Sequence, residues 1–304
     1  MLRVCVVGSL NMDLVVKVPH LPQVGETVTG GVFSTFPGGK GANQAVGAAR
    51  LGACVTMVGR VGADPFGAQL VDALRREGVD VAAVGTDPES PTGIAAIGVD
   101  EQGRNLILVA PGANARLLPH DVGEAVIARS QVLLLQLEIP TVTVLHAARV
   151  ARRHGAWVCL DPAPAAPLPE ELYRLVDVLN PNEVEAAALT GISIRTLEDA
   201  QRAARRLLDR GPRHVVVKLG DRGSYYLSSD EAGHVPALGV KAVDTTAAGD
   251  VFAAALGVAL GEGRSLRESV QFASCAAALK VTRMGAQSMP SREEVEAALR
   301  QVTV

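Results

Sequence analysis

Two acids frame a run of hydroxyl-bearing and small residues in "DTTAAGD" (Asp244 to Asp250), directly ahead of the apolar stretch "VFAAALGVAL". If those small residues open a helix, their amides converge at its positive end and the lack of bulk lets an anion approach. An Asp at that point can accept a proton from an attacking hydroxyl while the amides hold phosphoryl oxygens, the division of labour that phosphoryl transfer requires. The plainer alternative is that Asp250 is a helix N-cap. Electrostatics favours the catalytic reading, because a carboxylate facing an incoming anion serves stability poorly. Asp244 and the Thr245 and Thr246 backbone also offer oxygen to a cation.

Two N-terminal stretches supply complementary groups. In "GSLNMD" (Gly8 to Asp13), Asn11 and Asp13 stand two residues apart in an extended segment, so both point to one side, where an amide and a carboxylate suit vicinal hydroxyls. Turn formation is the alternative role for this pair. In "PGGKGANQA" (Pro37 to Ala45), glycines around Lys40 lead into a helix. This is not the GxxxxGK[ST] phosphate loop, since no Ser or Thr follows the lysine to hold magnesium. The glycines instead let backbone approach a polar ligand, with Asn43 at the helix start to hydrogen-bond it.

Those residues need a scaffold that brings distant segments together. Strand-length apolar runs alternate with segments of helical period: "RVCVVGS", "GANQAVGAARLG", "CVTMVGRVG", "FGAQLVDALRREG", and later "QVLLLQLE", "AWVCLDPAP", "LVDVLNPN" and "HVVVKLG" with helical stretches between. The alternation predicts a mostly parallel sheet covered on both faces, with ligands at the C-terminal strand ends. Met12 to Phe36 and Thr92 to Asn114 break the rhythm as extended pieces, the second turning at "DEQG", and predict a small accessory sheet.

The chain has 304 residues and a net charge of -3, enough for one large domain and without the basic surplus of a nucleic-acid binder. The clusters "ARRH" and "RAARR" read as solvated helix faces. Cys5, Cys54, Cys159 and Cys275 are far apart in apolar surroundings and predict buried, reduced thiols rather than a metal site. No stretch approaches the ~18 apolar residues of a membrane span, and the N-terminal apolar run breaks too early for a signal peptide, so a cytoplasmic protein is expected.

Taken with "PNEVEA" and "KLGDRG", these motifs, in their order and at their distances, resemble the ribokinase branch of the ribokinase-like (PfkB) carbohydrate kinases over essentially the whole chain. "GSLNMD", "GGKGANQA", "LQLE" and "TRMGAQ" favour that branch over fructokinase, ketodeoxygluconate kinase or nucleoside kinase relatives, with another sugar or nucleoside of the same family, such as deoxyribose, as the alternative substrate. The resemblance implies a three-layer α/β/α domain over residues 1–304 with a mostly parallel central sheet, and a β lid inserted from about 12–36 and 92–110. It implies transfer of the ATP γ-phosphoryl group to the 5-hydroxyl of D-ribose. Asp250 would be the general base and Ala247, Ala248 and Gly249 a backbone anion hole. Asn11, Asp13, Gly39, Lys40, Gly41, Asn43 and Glu138 would hold the sugar, with a Lys40–Glu138 ion pair as the structural alternative for those two.

On the nucleotide side, the resemblance implies Asn182, Lys218, Gly220, Asp221, Arg222, Gly223, Gly249 and Ser274, with Glu185 acting on magnesium through water. A monovalent cation, usually potassium, would sit among Asp244, Thr246, Lys280, Arg283, Gly285 and Ser288, mainly on backbone carbonyls. Position 280 is a lysine, and a cation beside a cation site is unfavourable unless only its carbonyl points inward. Ser274 stands where many ribokinases carry a ring. A homodimer through the lid is also implied. A sugar-binding regulator without catalysis would lack the base or the anion hole, and both are present. A dinucleotide-binding oxidoreductase is excluded by the missing GxGxxG with its later acid.

Overall fold

The computed structural model describes residues 1–302. The chain starts with β1 (Arg3–Val7), β2 (Asn11–Lys17), β3 (Val32–Gly38), α1 (Lys40–Arg50), β4 (Cys54–Gly62), α2 (Pro65–Arg76) and β5 (Asp80–Asp87). It continues through β6 (Gly93–Val99), β7 (Asn105–Ala110), α3 (Glu124–Ala128), β8 (Val132–Leu135), α4 (Thr141–Arg153), β9 (Trp157–Leu160), α5 (Glu170–Leu175) and β10 (Val178–Leu179). Then come α6 (Glu183–Thr190), α7 (Leu197–Leu208), β11 (His214–Lys218), β12 (Ser224–Leu227), β13 (Ala232–Val235), α8 (Ala248–Gly261), α9 (Leu266–Val281) and α10 (Arg292–Val302).

Among the described residues the strands form a nine-stranded sheet, ordered β13-β12-β11-β10-β9-β8-β1-β4-β5, and a separate four-stranded sheet, β3-β2-β6-β7. The large sheet is parallel from β5 to β11 and turns antiparallel at the β11–β12 and β12–β13 pairs. Alternation splits each Val/Leu-rich strand between two cores. Val4, Val6, Met57 and Leu134 pack beneath α1, α2, α8, α9 and α10. Cys5, Val7, Leu133 and Leu135 pack beneath α3 to α7. This is the three-layer α/β/α architecture that the alternating pattern implies.

Three strands fall outside the expected rhythm. β5, with Ala and Gly inside it, and the short hairpin β12–β13 add both edges of the large sheet. A cysteine also departs: Cys54 opens β4 in an exposed position, while Cys5, Cys159 and Cys275 are buried. No helix among the described residues is long and apolar enough to cross a membrane.

The helix pair α1 and α8 positions the chemistry. α8 is apolar on all sides and almost wholly buried, so it is the central helix of its layer. A methyl group built on Gly47 of α1 would lie 3.1 Å from the Ala254 Cβ, so the two helices meet with only the Ala254 methyl between them. One turn earlier on each helix stand Asn43 and Asp250, brought within hydrogen-bond distance by that approach. Gly47→Leu should therefore push the helices apart and lower the unfolding free energy by about 1–3 kcal/mol in denaturant titration, the usual range for overpacking. Unchanged stability would show that this contact does not set the helix spacing.

Candidate active site

Asp250 is the third residue of α8, not its cap; the capping position belongs to Ala247. Ala247 adopts φ 60, the only positive φ of a non-glycine residue among the described residues. A left-handed alanine costs roughly 1–2 kcal/mol, and such strain persists where the surrounding structure enforces it. The kink aims the first turn of α8 at the crevice. The Ala248 amide closes a turn onto the Thr245 carbonyl at 3.2 Å, so it is less free than expected for an anion hole. Among the described residues the Ala247 and Gly249 amides have no acceptor. A methyl group on Gly249 would come within 3.5 Å of the Lys218 ammonium, so the positive helix end faces a cation across open space.

The Asp250 carboxyl is 4% exposed. Its Oδ2 accepts a hydrogen bond from Asn43 Nδ2 at 2.9 Å, and its Oδ1 is buried without a partner. Burial is the main reason its pKa is pushed up to about 6, with Lys40 and the Asn43 hydrogen bond pulling the other way and Asp161 and Glu138 adding to the rise. A carboxylate with an unsatisfied oxygen and a pKa near neutrality is suited to take a proton from a hydroxyl.

Asn11 and Asp13 lie at the root of the small sheet, where β2 pairs with β3 and β6. Gly38 packs so tightly on Asp13, and Gly39 (φ 93) on the Asn11 amide, that no side chain fits at either; a Cβ on Gly39 would lie 2.6 Å from that amide. Glu138 gathers the neighbourhood: its Oε2 accepts from Ser9 Oγ at 2.5 Å, the Lys40 amide at 3.2 Å and Asn11 Nδ2 at 3.3 Å. Lys40 thus meets Glu138 through its backbone, and the structural ion pair is absent among the described residues. Burial alone would depress the Lys40 ammonium, but Asp250, Asp161, Glu138 and Glu185 together hold it well above its ordinary value. Burial, then Glu138 and Asp250, push Asp13 up to about 7. Two residues missed by sequence reasoning complete this wall. Ser9 bonds Glu138, and buried Asn114 takes both Leu10 backbone groups at 2.9 Å and the Asn11 side chain at 2.8 Å. A lone Asn about a hundred positions away carries no local signal.

A cleft of about 510 Å³ adjoins the first turn of α8 and is lined by Asn182, Lys218, Gly220, Asp221, Gly223, Gly249 and Ser274 among others. The Ser274 hydroxyl is buried there without a partner. Arg222 is not in the lining; its guanidinium is held by Glu183 and the Arg195 carbonyl, which fixes the loop instead. Asn182 and Glu185 form a reciprocal capping box on α6 at 2.7–2.9 Å, a role sequence reasoning missed. Burial raises the Glu185 pKa while Lys218 opposes it. Lys218 pairs with buried Asp161 at 2.7 Å, a second acid that sequence reasoning did not single out.

The expected monovalent-cation residues gather around Asp244, which is already met by a cation of the chain. Asp244 Oδ2 accepts the Gly285 amide at 2.8 Å and Oδ1 the Thr246 amide at 2.9 Å, and the Gly285 carbonyl accepts Ser288 Oγ at 2.8 Å. The Lys280 carbonyl accepts the Arg283 amide at 3.0 Å. The Arg283 guanidinium is drawn off to the Met289 carbonyl and Glu294. Lys280 does not turn its side chain away: Nζ donates to the Asp244 carbonyl at 2.9 Å. Two unit charges 4 Å apart repel by about 4 kcal/mol at a partly screened site, so these residues do not fit a potassium ion.

Comparison with known proteins agrees with this geometry. The family model described as pfkB family carbohydrate kinase matches residues 1–293. The chain is 42% identical to a Haemophilus influenzae protein named ribokinase, covering 95% of each. The crystal structure of a Thermotoga maritima ribokinase superposes with a TM-score of 0.90 at 43% identity, over 99% of this chain and 100% of that one. An Arabidopsis thaliana ribokinase complexed with ribose and ATP superposes with a TM-score of 0.92 at 35% identity, over 99% of each chain. With the buried acid, the open helix end and the adjoining cleft all in one fold, the chain belongs to the pfkB family of carbohydrate kinases.

Proposed function

We propose that this kinase is an ATP-dependent ribokinase that converts D-ribose to D-ribose 5-phosphate. The observation that carries the reading is the buried Asp250 carboxyl, with one oxygen free, at the first turn of α8 beside the unpartnered Ala247 and Gly249 amides. The Arabidopsis relative's complex with ribose and ATP supports the choice of substrates.

In this reading the sugar lies against Asn11, Asp13, Gly39, Gly41, Asn43 and the Lys40–Glu138 corner, with Asp13 accepting from hydroxyls opposite the reacting one. Asp250 takes the proton of the 5-hydroxyl. The oxygen then attacks the γ-phosphorus, the bond to the β,γ-bridging oxygen breaks, and ADP leaves. The Ala247 and Gly249 amides, with Ala248 once its turn opens, hold the equatorial oxygens, and Lys218 answers the charge from the other side. Asn182, Gly220, Asp221, Gly223 and Ser274 line the nucleotide's place, and Arg222 braces the loop. Asn43, by its hydrogen bond, keeps Asp250 lower in pKa than burial alone would allow.

Glu185, a hard oxygen donor in a cluster with Asp161, suits a magnesium ion held through water. When bound with ATP, that ion neutralises phosphate charge. Potassium has no part in this reading, since Lys280 already stands on the Asp244 carbonyl. The whole chain then acts as one kinase domain in the cytoplasm, with the small sheet as a lid that shuts water out of the sugar site.

The lid carries an apolar surface: Val32, Phe33 and Phe36 on β3 and Leu106 to Val109 on edge strand β7 are exposed. An apolar edge of this kind favours a second copy as partner. Sedimentation at micromolar concentration should read a dimer, and Phe33→Glu should weaken it; a monomer throughout would remove this part of the reading.

The activity is tested by ADP release with MgATP across ribose, deoxyribose, fructose and ketodeoxygluconate. Ribose should lead by at least about tenfold in kcat/KM, because a site built to bond a hydroxyl rejects its absence strongly. A lead for another sugar would overturn the ribose assignment and leave the base in place.

Asp250→Asn should cut kcat by about 10²–10⁴, the range for a general base. Wild-type kcat/KM should fall as pH drops through about 6, where Asp250 takes up its proton. Stability moves oppositely. A carboxyl whose folded pKa is raised above 3.8 stabilises fully below that value and loses this as pH rises through about 6, a change of roughly 3 kcal/mol. At pH 8 the Asn variant should melt at or above the wild-type temperature; a large fall in both melting temperature and kcat would mark Asp250 as structural.

A further inference from the structure

We propose that the Lys280 ammonium is a built-in cation, which replaces a free monovalent ion behind the anion hole and makes this kinase independent of potassium. The inference rests on the phosphoryl-transfer reading of Asp250 and the first turn of α8.

Lys280 lies in the last turn of α9 and is completely buried, which for a lysine demands a partner. Its Nζ donates to the Asp244 carbonyl at 2.9 Å and lies 3.8 Å from the Asp244 carboxylate, a backbone oxygen and an acid that a free cation would otherwise coordinate. The charged groups that act on this ammonium are Asp244 and, farther off, Asp250. One acid at the loop is thus met by one cation of the chain, and a second cation would leave the site with uncompensated positive charge.

The tether also has a mechanical consequence. The Val243 and Asp244 amides both donate to the Val281 carbonyl, at 2.7 and 3.1 Å, beside the Lys280 contact. The end of α9 therefore grips the chain three residues before Ala247, the left-handed residue that swings the amides of α8 toward the crevice. A free ion would make that grip depend on ion concentration, whereas a covalently held ammonium makes it permanent. Lys280 is in this sense a positioning residue. It touches neither substrate, and it fixes the loop that does.

The test compares the full-length enzyme in potassium, sodium and tetramethylammonium chlorides at constant ionic strength. Wild-type kcat should agree within about twofold in all three, and potassium should not raise its melting temperature relative to tetramethylammonium. Lys280→Ala removes the charge and opens room. It should lose at least tenfold in kcat in tetramethylammonium, regain it with saturable potassium or ammonium ion, and gain several degrees of melting temperature from the same ions. Lys280→Met, which keeps the bulk without the charge, should lose activity without rescue, and it decides the matter with the wild-type series if the alanine variant folds poorly. Severalfold activation of the wild type by potassium, or full kcat of either variant in tetramethylammonium, would overturn the proposal. Absence of turnover with every sugar would instead overturn the kinase reading, and the potassium-dependent melting of wild type and Lys280→Ala would still decide this one.

Discussion

The structure depends on placing a carboxylate where water cannot reach it. α1 and α8 meet at Gly47 and Ala254 with only the Ala254 methyl between them, and that approach delivers Asn43 to Asp250. Burying an acid raises its pKa, and an acid raised too far would stay protonated and be useless as a base. The single Asn43 hydrogen bond and the charge of Lys40 limit the rise, while Asp161 and Glu138 prevent it from being cancelled. The resulting value near neutrality is a balance struck by residues from four separate stretches of chain.

A second constraint follows at the crossing between the two sheets. The chain leaves the large sheet at the end of β1 and enters the small sheet at Asn11, and the connecting residues have no ladder to join. Their backbone polar groups still require partners. The Gly8 amide finds the Val58 carbonyl and the Ser9 carbonyl the Ala42 amide, while Asn114 takes the Leu10 amide and carbonyl as a neighbouring strand would and then holds the Asn11 side chain. The same side chain that completes the backbone thus fixes the direction of the Asn11 amide. Glycines at 39 and 41 are needed because two stretches of backbone pass within contact distance there, and the glycine at 38 leaves room for the Asp13 carboxyl.

What the sequence disclosed and what it hid divide along physical lines. Asp250, the glycine-rich turn and the Asn11–Asp13 pair are local clusters, whose unusual composition is visible in a short window. The parallel core was visible because doubly covered strands are nearly all Val and Leu. Edge strands β5 and β13 were not, since they carry Ala, Gly and polar residues that lack the signal, and β12 is a four-residue strand too short to show a period. Asn114, Ser9 and Asp161 act through partners 57 to 129 residues away, and no spacing rule reaches that far. Arg222 shows the converse: it sits inside a motif with the right neighbours, yet its side chain leaves the cleft for Glu183. A motif fixes a residue's backbone position more firmly than the direction of its side chain.

The same distinction governs Lys280. A lysine at a position expected to offer only its carbonyl looks harmless if its side chain points to water, as most lysines do. Here it points inward, toward the Asp244 carbonyl at 2.9 Å and the Asp244 carboxylate at 3.8 Å. Burial lowers the affinity of that ammonium for its proton, and Asp244 and Asp250 act against that loss. Asp244 in turn is pushed up by its own burial, and the Thr246 and Gly285 amides together with Lys280 outweigh that and hold it ionised. Each group thereby favours the charge of the other, three residues ahead of the left-handed Ala247.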